Sequence, residues 1–200
     1  AAILLPILCV QDMISIYSYR KSFHLKNLFI LLPAATIGIV FGYLWFSLLS
    51  EDNIKIFLGL LAIIFSLNYF FFSKDSEMAN VSVTKGSIWG TISGFTSFGI
   101  HAGGLPFNIY MLPQKLDHRV YVGTAAIFFG LVNLIKLYPY YLLDQLRIEN
   151  IMTALFLLPF APLGFYVGFK LTHKLDGDKF YGITYFCLLI IGLKLLSDGI

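Results

Sequence analysis

SGFTSFGIHAGGLPFNIYMLPQ, residues 93–114, decides how this chain is read. Glycine recurs at Gly94, Gly99, Gly103 and Gly104, proline stands at Pro106 and Pro113, and Ser93, Thr96, Ser97, His101 and Asn108 lie between them. The flanking sequence is apolar for long runs, so a polar, helix-breaking segment sits inside an oily protein. The 200-residue chain is 58% hydrophobic, 17% aromatic and 12% charged, with a mean hydropathy of +0.80. Soluble domains carry about 25% charged residues. A soluble core of this size cannot hide so much apolar surface, and the solvent expected for it is lipid.

A transmembrane helix needs about 20 mostly apolar residues. Runs of that kind lie at 1–19, 28–49, 54–72, 120–142, 149–171 and 180–197, which predicts six full crossings. Residues 86–112 break the pattern. Their halves, GSIWGTISGFTS and AGGLPFNIYML, are about 12 residues each, or roughly 18 Å as helix, too short to cross. Two half-helices meeting at a turn inside the membrane account for this, with one kinked helix as the alternative. Backbone freed by such a break is tolerated in a bilayer only where protein or a wet cavity satisfies it. Gly86, Gly90 and Gly94 form a GxxxGxxxG face for close helix approach under either reading.

The halves of the chain echo each other. LPAATIGIVFG (residues 32–42) and LPFAPLGFYVG (residues 158–168) share the spacing P-x4-G-x3-G. AAILLPILCVQD at the start parallels AAIFFGLVNLIK from Ala125, and IFLGLLAIIFSLNYF parallels GITYFCLLIIGLKLL. This divides the chain into a first repeat at 1–73, an inter-repeat loop at 74–83 and a second repeat at 84–200. Ala125 follows the broken segment, so a matching hairpin within roughly 40 residues is expected ahead of Ala1, leaving the first repeat incomplete here. A hairpin plus three spans is odd in crossings, so the second repeat enters the bilayer inverted, the plan of many secondary transporters. The expected fold is all-α, a polytopic bundle of two inverted repeats. Net charge is +3. The loop YRKSFHLKN carries Arg20, Lys21 and Lys26 without an acid, while its counterpart LDQLRIEN carries Asp144 and Glu149 against Arg147. The positive-inside bias places the first loop in the cytoplasm.

Chemistry is expected at few positions. A half-helix starting near Gly103 and Gly104 would offer free N–H groups and a positive dipole end to an anion. Thr96, Ser97 and His101 could add donors beside it. His101 either binds directly or ties the turn together, and Asn108 either faces substrate or bridges the hairpin. Lys136, within an apolar span, is a functional candidate by default but could snorkel to the interface. Asn133 shares its helix face. The repeat alignment sets Asp12 opposite Lys136, as a proton-coupling carboxylate or a structurally paired one; His101 is a second proton-coupling candidate. Thr124, in GTAA, either meets an anion or caps its helix. Tyr138, Tyr140 and Tyr141 suit an interfacial aromatic belt, or a gate. His24, His118 and His173 are expected to be solvated, and Cys9 and Cys187 to be small buried hydrophobes. No enzyme signature, cofactor motif or metal-ligand spacing stands out, which argues against an enzyme and predicts no cofactor.

Several segments together resemble the sulfite exporter TauE/SafE family, also called the toluene sulfonate uptake permease family. They are SGFTSFGIHAGGLPFNIYMLPQKL, YVGTAAIFFGLVNLIKLYPYYLLDQL, ALFLLPFAPLGFYVGFKL and FYGITYFCLLIIGLKLLSDG in the second half, with LLPILCVQDMISIYSYRK and LLPAATIGIVFG more weakly in the first. The resemblance covers essentially the whole chain. It implies a multi-pass carrier of a bacterial-type inner membrane, a probable exporter of small anions such as sulfite, sulfoacetate or other organosulfonates, working by alternating access and coupled to protons. The family begins with a glycine-rich segment that this sequence lacks. Partners expected are the anion, the lipid bilayer and, as an open option, further copies in a homo-oligomer, with no nucleic acid. An anion channel and a non-transporting membrane scaffold are the alternatives.

Overall fold

The computed structural model of the chain describes residues 3–45, 50–73 and 77–200. Positions 46–49 of the expected second span and 74–76 of the inter-repeat loop lie outside the described residues. The fold is all-helical, with no strand among the described residues. Its helices are α1 (Leu4–Tyr19), α2 (Leu25–Leu44), α3 (Glu51–Asn68), α4 (Val83–Ile100), α5 (Gly104–Met111), α6 (His118–Leu142), α7 (Ile148–Leu157), α8 (Phe160–Lys174) and α9 (Gly177–Gly199). A π-helical turn, Tyr69–Ser73, extends α3, and a 3-10 turn, Leu112–Gln114, ends α5.

Local chemistry sets several of the starts. Ser50, Ser82, Asp117 and Asp176 precede α3, α4, α6 and α9, and each side chain accepts a backbone N–H from the first turn. Glu51 and Asp52 add negative charge at the positive end of α3. At the start of α9 the Lys179 side chain donates to Asp176 and holds its carboxyl below the usual carboxylate range.

α2, α3, α6 and α9 are long and apolar enough to cross a membrane, and α7 with α8 would make a fifth span. The sequence predicts one continuous helix over 149–171; instead that pair bends by 47°. Pro159 cannot donate a backbone hydrogen bond and its ring crowds the carbonyl of the preceding turn. Pro33, at the matching place in α2, leaves the helix continuous, because α2 is clamped along its length by α4. The first expected span is short: α1 has 16 residues, about 24 Å of helix.

Packing is dominated by glycine contacts. The predicted face of Gly86, Gly90 and Gly94 on α4 lies against α2. A methyl group at Gly94 would collide with the Ala35 carbonyl, and one at Gly90 would lie 2.9 Å from the Ala34 methyl. Gly38 on α2 answers against the Thr91 carbonyl. α3 and α9 meet through Gly59 and Gly192, where a methyl at either would come within 3.0 Å of the other's carbonyl. Lipid offers no hydrophobic drive between helices, so close backbone approach supplies the attraction instead. Outward faces carry Phe29, Phe57, Ile64, Phe156 and Val167, all exposed, as a lipid-facing surface requires. Cys187 also sits on the exposed side rather than in the core, and Cys9 is half-buried; both thiols are free.

The chain termini of the helices sort into two ends. The α1–α2 turn lies on the first turns of α6, with the Ser22 carbonyl against Gly123. The Tyr181 hydroxyl donates to the Leu116 carbonyl, and Tyr69 stacks on Tyr185. One end therefore gathers Arg20, Lys21, Lys26, Lys115, Arg119 and Lys179 together with Asp117, Asp176 and Asp178, whereas the far end holds Glu51, Asp52, Asp144 and Glu149 together with Lys55 and Arg147.

Gly94→Ala drives a methyl into backbone and should lower stability by about 1–3 kcal/mol. Gly182→Ala, which meets nothing within 4 Å among the described residues, should be neutral or stabilising through helix propensity. Thermal unfolding of the two variants in detergent checks the contrast.

Candidate functional site

Residues 86–112 form two helices that fold back on one another. α4 ends at Ile100 and α5 begins at Gly104. The Ala79 N–H donates to the Pro113 carbonyl, so the two outer ends of the segment meet. Gly103 packs on Ser93 and Ser97, while Gly86 packs on Tyr110, which makes α5 antiparallel to α4. This is a re-entrant hairpin with both ends on the positively charged side of the molecule. The halves differ from expectation in length. α4 has 18 residues, about 27 Å, because Gly99 stays helical and the break falls at His101. α5 has only 8.

His101 ends α4 in the left-handed conformation, φ 56°, a place where glycine is usual. A non-glycine residue there carries roughly 1–2 kcal/mol of strain. What the imidazole gains is Lys136, whose Nζ lies 2.9 Å from Nδ1. Lys136 also donates to the Ser97 carbonyl at 2.9 Å and to Ser97 Oγ at 3.1 Å. An ammonium has three protons and here three acceptors. For Nδ1 to accept, the ring must be neutral with its proton on Nε2. The side chain is fully buried at 0% exposure, so Lys136 does not snorkel; it lies across the last carbonyls of α4, where cations complement the helix dipole.

Its neighbours complete the seam. Tyr140, one turn on, donates to the Phe98 carbonyl at 2.7 Å. Asn133, one turn before, donates to Asp12 Oδ2 at 2.7 Å. Among the described residues no ion pair joins Asp12 to Lys136; Asn133 holds the carboxylate instead. The YPYY motif therefore divides: Tyr140 is buried, whereas Tyr138 and Tyr141 are 70% and 72% exposed, as a belt requires.

The turn itself is tightly satisfied. Ser93 donates to the Gly103 carbonyl at 2.7 Å, the Ala102 N–H to the Thr96 carbonyl at 3.2 Å, and Thr96 to Ile92 at 2.8 Å. Gly103 packs closely within the hairpin. A methyl there would lie 2.6 Å from the Ser93 carbonyl, so its missing side chain lets the turn close against α4. Gly104 has open space beside it. α5 has no side-chain cap, and Pro106 brings no N–H, which leaves the Gly104 and Leu105 N–H groups as the donors of its first turn.

Two expected site residues lie apart from this cluster. Thr124 sits inside α6, not at its start, which Asp117 caps. Its Oγ accepts the His24 N–H at 2.8 Å and donates to Val120 at 2.7 Å, fastening the α1–α2 turn about 18 Å along the helix from Lys136. Asn108 Oδ1 accepts the Tyr121 hydroxyl, so it bridges α5 to α6 rather than the hairpin halves. His118 is not solvated: it packs near Phe180, with Nε2 buried. His24 accepts from Asn27 N–H at the start of α2, and His173 lies on Phe169.

A polar network that sequence reasoning missed holds the hairpin's outer end. Asn27 Nδ2 donates to Gln114 Oε1 at 2.8 Å, Tyr110 donates to Asn27 Oδ1 at 3.0 Å, and Gln114 Nε2 donates to the Tyr110 carbonyl at 3.1 Å. Asn27 and Gln114 sit in short polar stretches that read as loops, so only their partnership reveals them. Among the described residues no group of three or more His, Cys, Asp or Glu could hold a metal ion.

With the geometry established, comparison with known proteins gives one match. The family described as Sulfite exporter TauE/SafE matches residues 1–195. No curated protein and no solved structure matches the chain.

His101→Gly relieves the left-handed strain and His101→Ala keeps it, while both lose the contact with Lys136. The glycine variant should be the more stable by about 1 kcal/mol. Tyr140→Phe should lose about 1 kcal/mol with the bond to Phe98. Thermal melts of the three variants check both values.

Proposed function

The chain belongs to the Sulfite exporter TauE/SafE family, a family of membrane transporters, and on that premise we propose that it carries a small sulfur oxyanion or organosulfonate by alternating access. The observation that carries this reading is the fully buried Lys136 amino group at the tip of a re-entrant hairpin. An intramembrane cation facing the bundle interior is where an anion gains most. Beside the same turn, α5 presents uncapped N–H groups with open space at Gly104.

In the observed conformation Lys136 spends its donors on Ser97 and His101. The conformation is thus closed, and substrate enters by taking the ammonium from those acceptors. Ser97, His101, Gly104 and Lys136 then form the anion site, with Thr96 and Gly103 shaping the turn. Asn133 and Asp12 continue the seam, and Asp12 is the coupling carboxylate, its charge read by Asn133. Thr124 and Asn108 position α1, α2 and α5 around α6. The two-repeat plan, 1–73 and 84–200, supports this reading because Asp12 and Lys136 occupy equivalent places on α1 and α6. The lysine-rich end faces the cytoplasm of a cell with this chain in its inner membrane.

The first test is thermal shift of the intact protein against sulfite, sulfate, thiosulfate, sulfoacetate and pyruvate. At a hundredfold excess over Kd a bound anion adds about 2.7 kcal/mol, or roughly 5–10 °C for a domain of this size. A sulfur oxyanion should give such a shift, and Lys136→Met should abolish it. If no anion shifts the melt and none crosses in proteoliposomes, the protein is a scaffold whose hairpin satisfies only itself. High passive conductance without counterflow would identify a channel. Asp12→Asn should leave anion counterflow intact and remove the response of uptake to an imposed pH gradient.

A further inference from the structure

The tip of the hairpin has at most one positive charge to give. Lys136 is the one charged side chain among the described residues that is fully buried. Its Nζ lies 2.9 Å from His101 Nδ1, and a ring nitrogen that accepts from it belongs to a neutral imidazole. α5, which completes the tip, carries no Asp, Glu, Lys, Arg or His. The single charge of α2, Lys26, stands about 24 Å along that helix from Gly42, the residue that packs on Phe98. Cations on the other neighbouring elements are engaged or turned away. Lys55 pairs with Glu51 and Asp52, and Arg147 with Asp144, while Lys170 and Lys194 are exposed.

The seam adds a negative charge of its own. Asp12 on α1 accepts at 2.7 Å from Asn133, one turn before Lys136 on α6. Cys9, one turn before Asp12, and Tyr140, whose hydroxyl is bound to the Phe98 carbonyl, also face this region, and neither can supply positive charge. A guest with one negative charge is matched by a protonated Lys136. A second negative charge finds no partner and stands near the Asp12 carboxylate. In water a hydration shell serves both charges, whereas in a buried site an unmatched one goes without. Granted that Lys136 binds the transported anion, as read above, we propose that the site accepts only monoanions, hydrogensulfite or a singly charged organosulfonate, and turns away dianions such as sulfate and sulfite itself.

Charge selection of this kind gives sulfite a pH dependence that belongs to the cargo. Sulfite and hydrogensulfite interconvert near neutral pH, and the protein draws on the protonated member. Each hydrogensulfite carried takes one proton with it, in addition to any proton held by Asp12. Raising the pH through neutrality converts hydrogensulfite to sulfite. Apparent affinity for total sulfite therefore falls, by about tenfold per pH unit once the dianion predominates. Methanesulfonate has no proton to lose in that range, so its binding registers only groups of the protein, Lys136, His101 and Asp12 among them.

The test is calorimetric titration of the intact protein in detergent with methanesulfonate and with sulfate. The two share a tetrahedral outline and differ by one charge, so the pair separates charge from shape. Methanesulfonate should bind at least about 100-fold more tightly than sulfate, and the affinity for total sulfite should fall with rising pH relative to that for methanesulfonate. Sulfate binding within about tenfold of methanesulfonate, or sulfite affinity that tracks methanesulfonate across the pH range, overturns the proposal and leaves the transport reading standing. Asp12→Asn removes the competing negative charge and should narrow the gap between the two anions by about tenfold. A gap that this variant leaves unmoved is not set by charge balance, and also overturns the proposal. If neither anion nor sulfite binds at any pH, the transport reading itself fails and the charge selection falls with it.

Discussion

The constraint on which the structure depends is that a bilayer supplies no water to a broken helix. α4 stops inside the protein and must leave its last carbonyls without intrahelical partners. In a soluble protein water would satisfy them at little cost. Here α6 helps to do so: Tyr140 takes the Phe98 carbonyl, and Lys136 adds a second donor to the Ser97 carbonyl, which also accepts the His101 N–H. The same two bonds fix how deep the hairpin reaches and which way its turn points. The glycine faces of α2 and α4 then become intelligible as the means of holding a helix that cannot be held by lipid.

Satisfaction and function compete at this place. An ammonium that has three good acceptors is a stable structural element and a poor anion receptor. An ammonium with none would be too costly to bury. The observed arrangement lies between, because two of its three acceptors, a serine hydroxyl and a neutral imidazole, are side chains that can turn away without breaking a helix. The third is the Ser97 carbonyl, which also accepts the His101 N–H and so is shared between the backbone and Lys136. His101 accepts backbone strain to stand in this position, which marks it as held for its ring and not for its turn.

Much of this was legible beforehand. Apolar run length gave α2, α3, α6 and α9, and the glycine and proline cluster gave the hairpin, since both follow from the physics of lipid and backbone alone. The exact break was not legible: Gly99 looks like an interruption, but a helix interior tolerates glycine, and only tertiary contact selects His101. The bend at Pro159 was missed because the run around it is uniformly apolar. The partners of Thr124 and Asn108 are not legible in the sequence for a common reason. A lone polar residue in an oily stretch signals that a partner exists, and says nothing of whether that partner is a ligand or, as with His24 and Tyr121, another part of the chain. The Asn27–Gln114–Tyr110 network is not legible for the same reason in reverse, because Asn27 and Gln114 read as ordinary loop residues and Tyr110 as part of an apolar half-helix.

The order of synthesis gives the latch between α4 and α6 one more consequence. A ribosome delivers α2 before α4, so the glycine groove is ready when the hairpin emerges. Lys136 and Tyr140 are translated some forty residues after the carbonyls they bind. Until α6 leaves the translocation machinery, the tip has only water to satisfy it, and it must wait near the surface or within a hydrated channel. Deep insertion of the hairpin is therefore a late event in biogenesis, and a nascent chain stalled before α6 would hold α4 shallow.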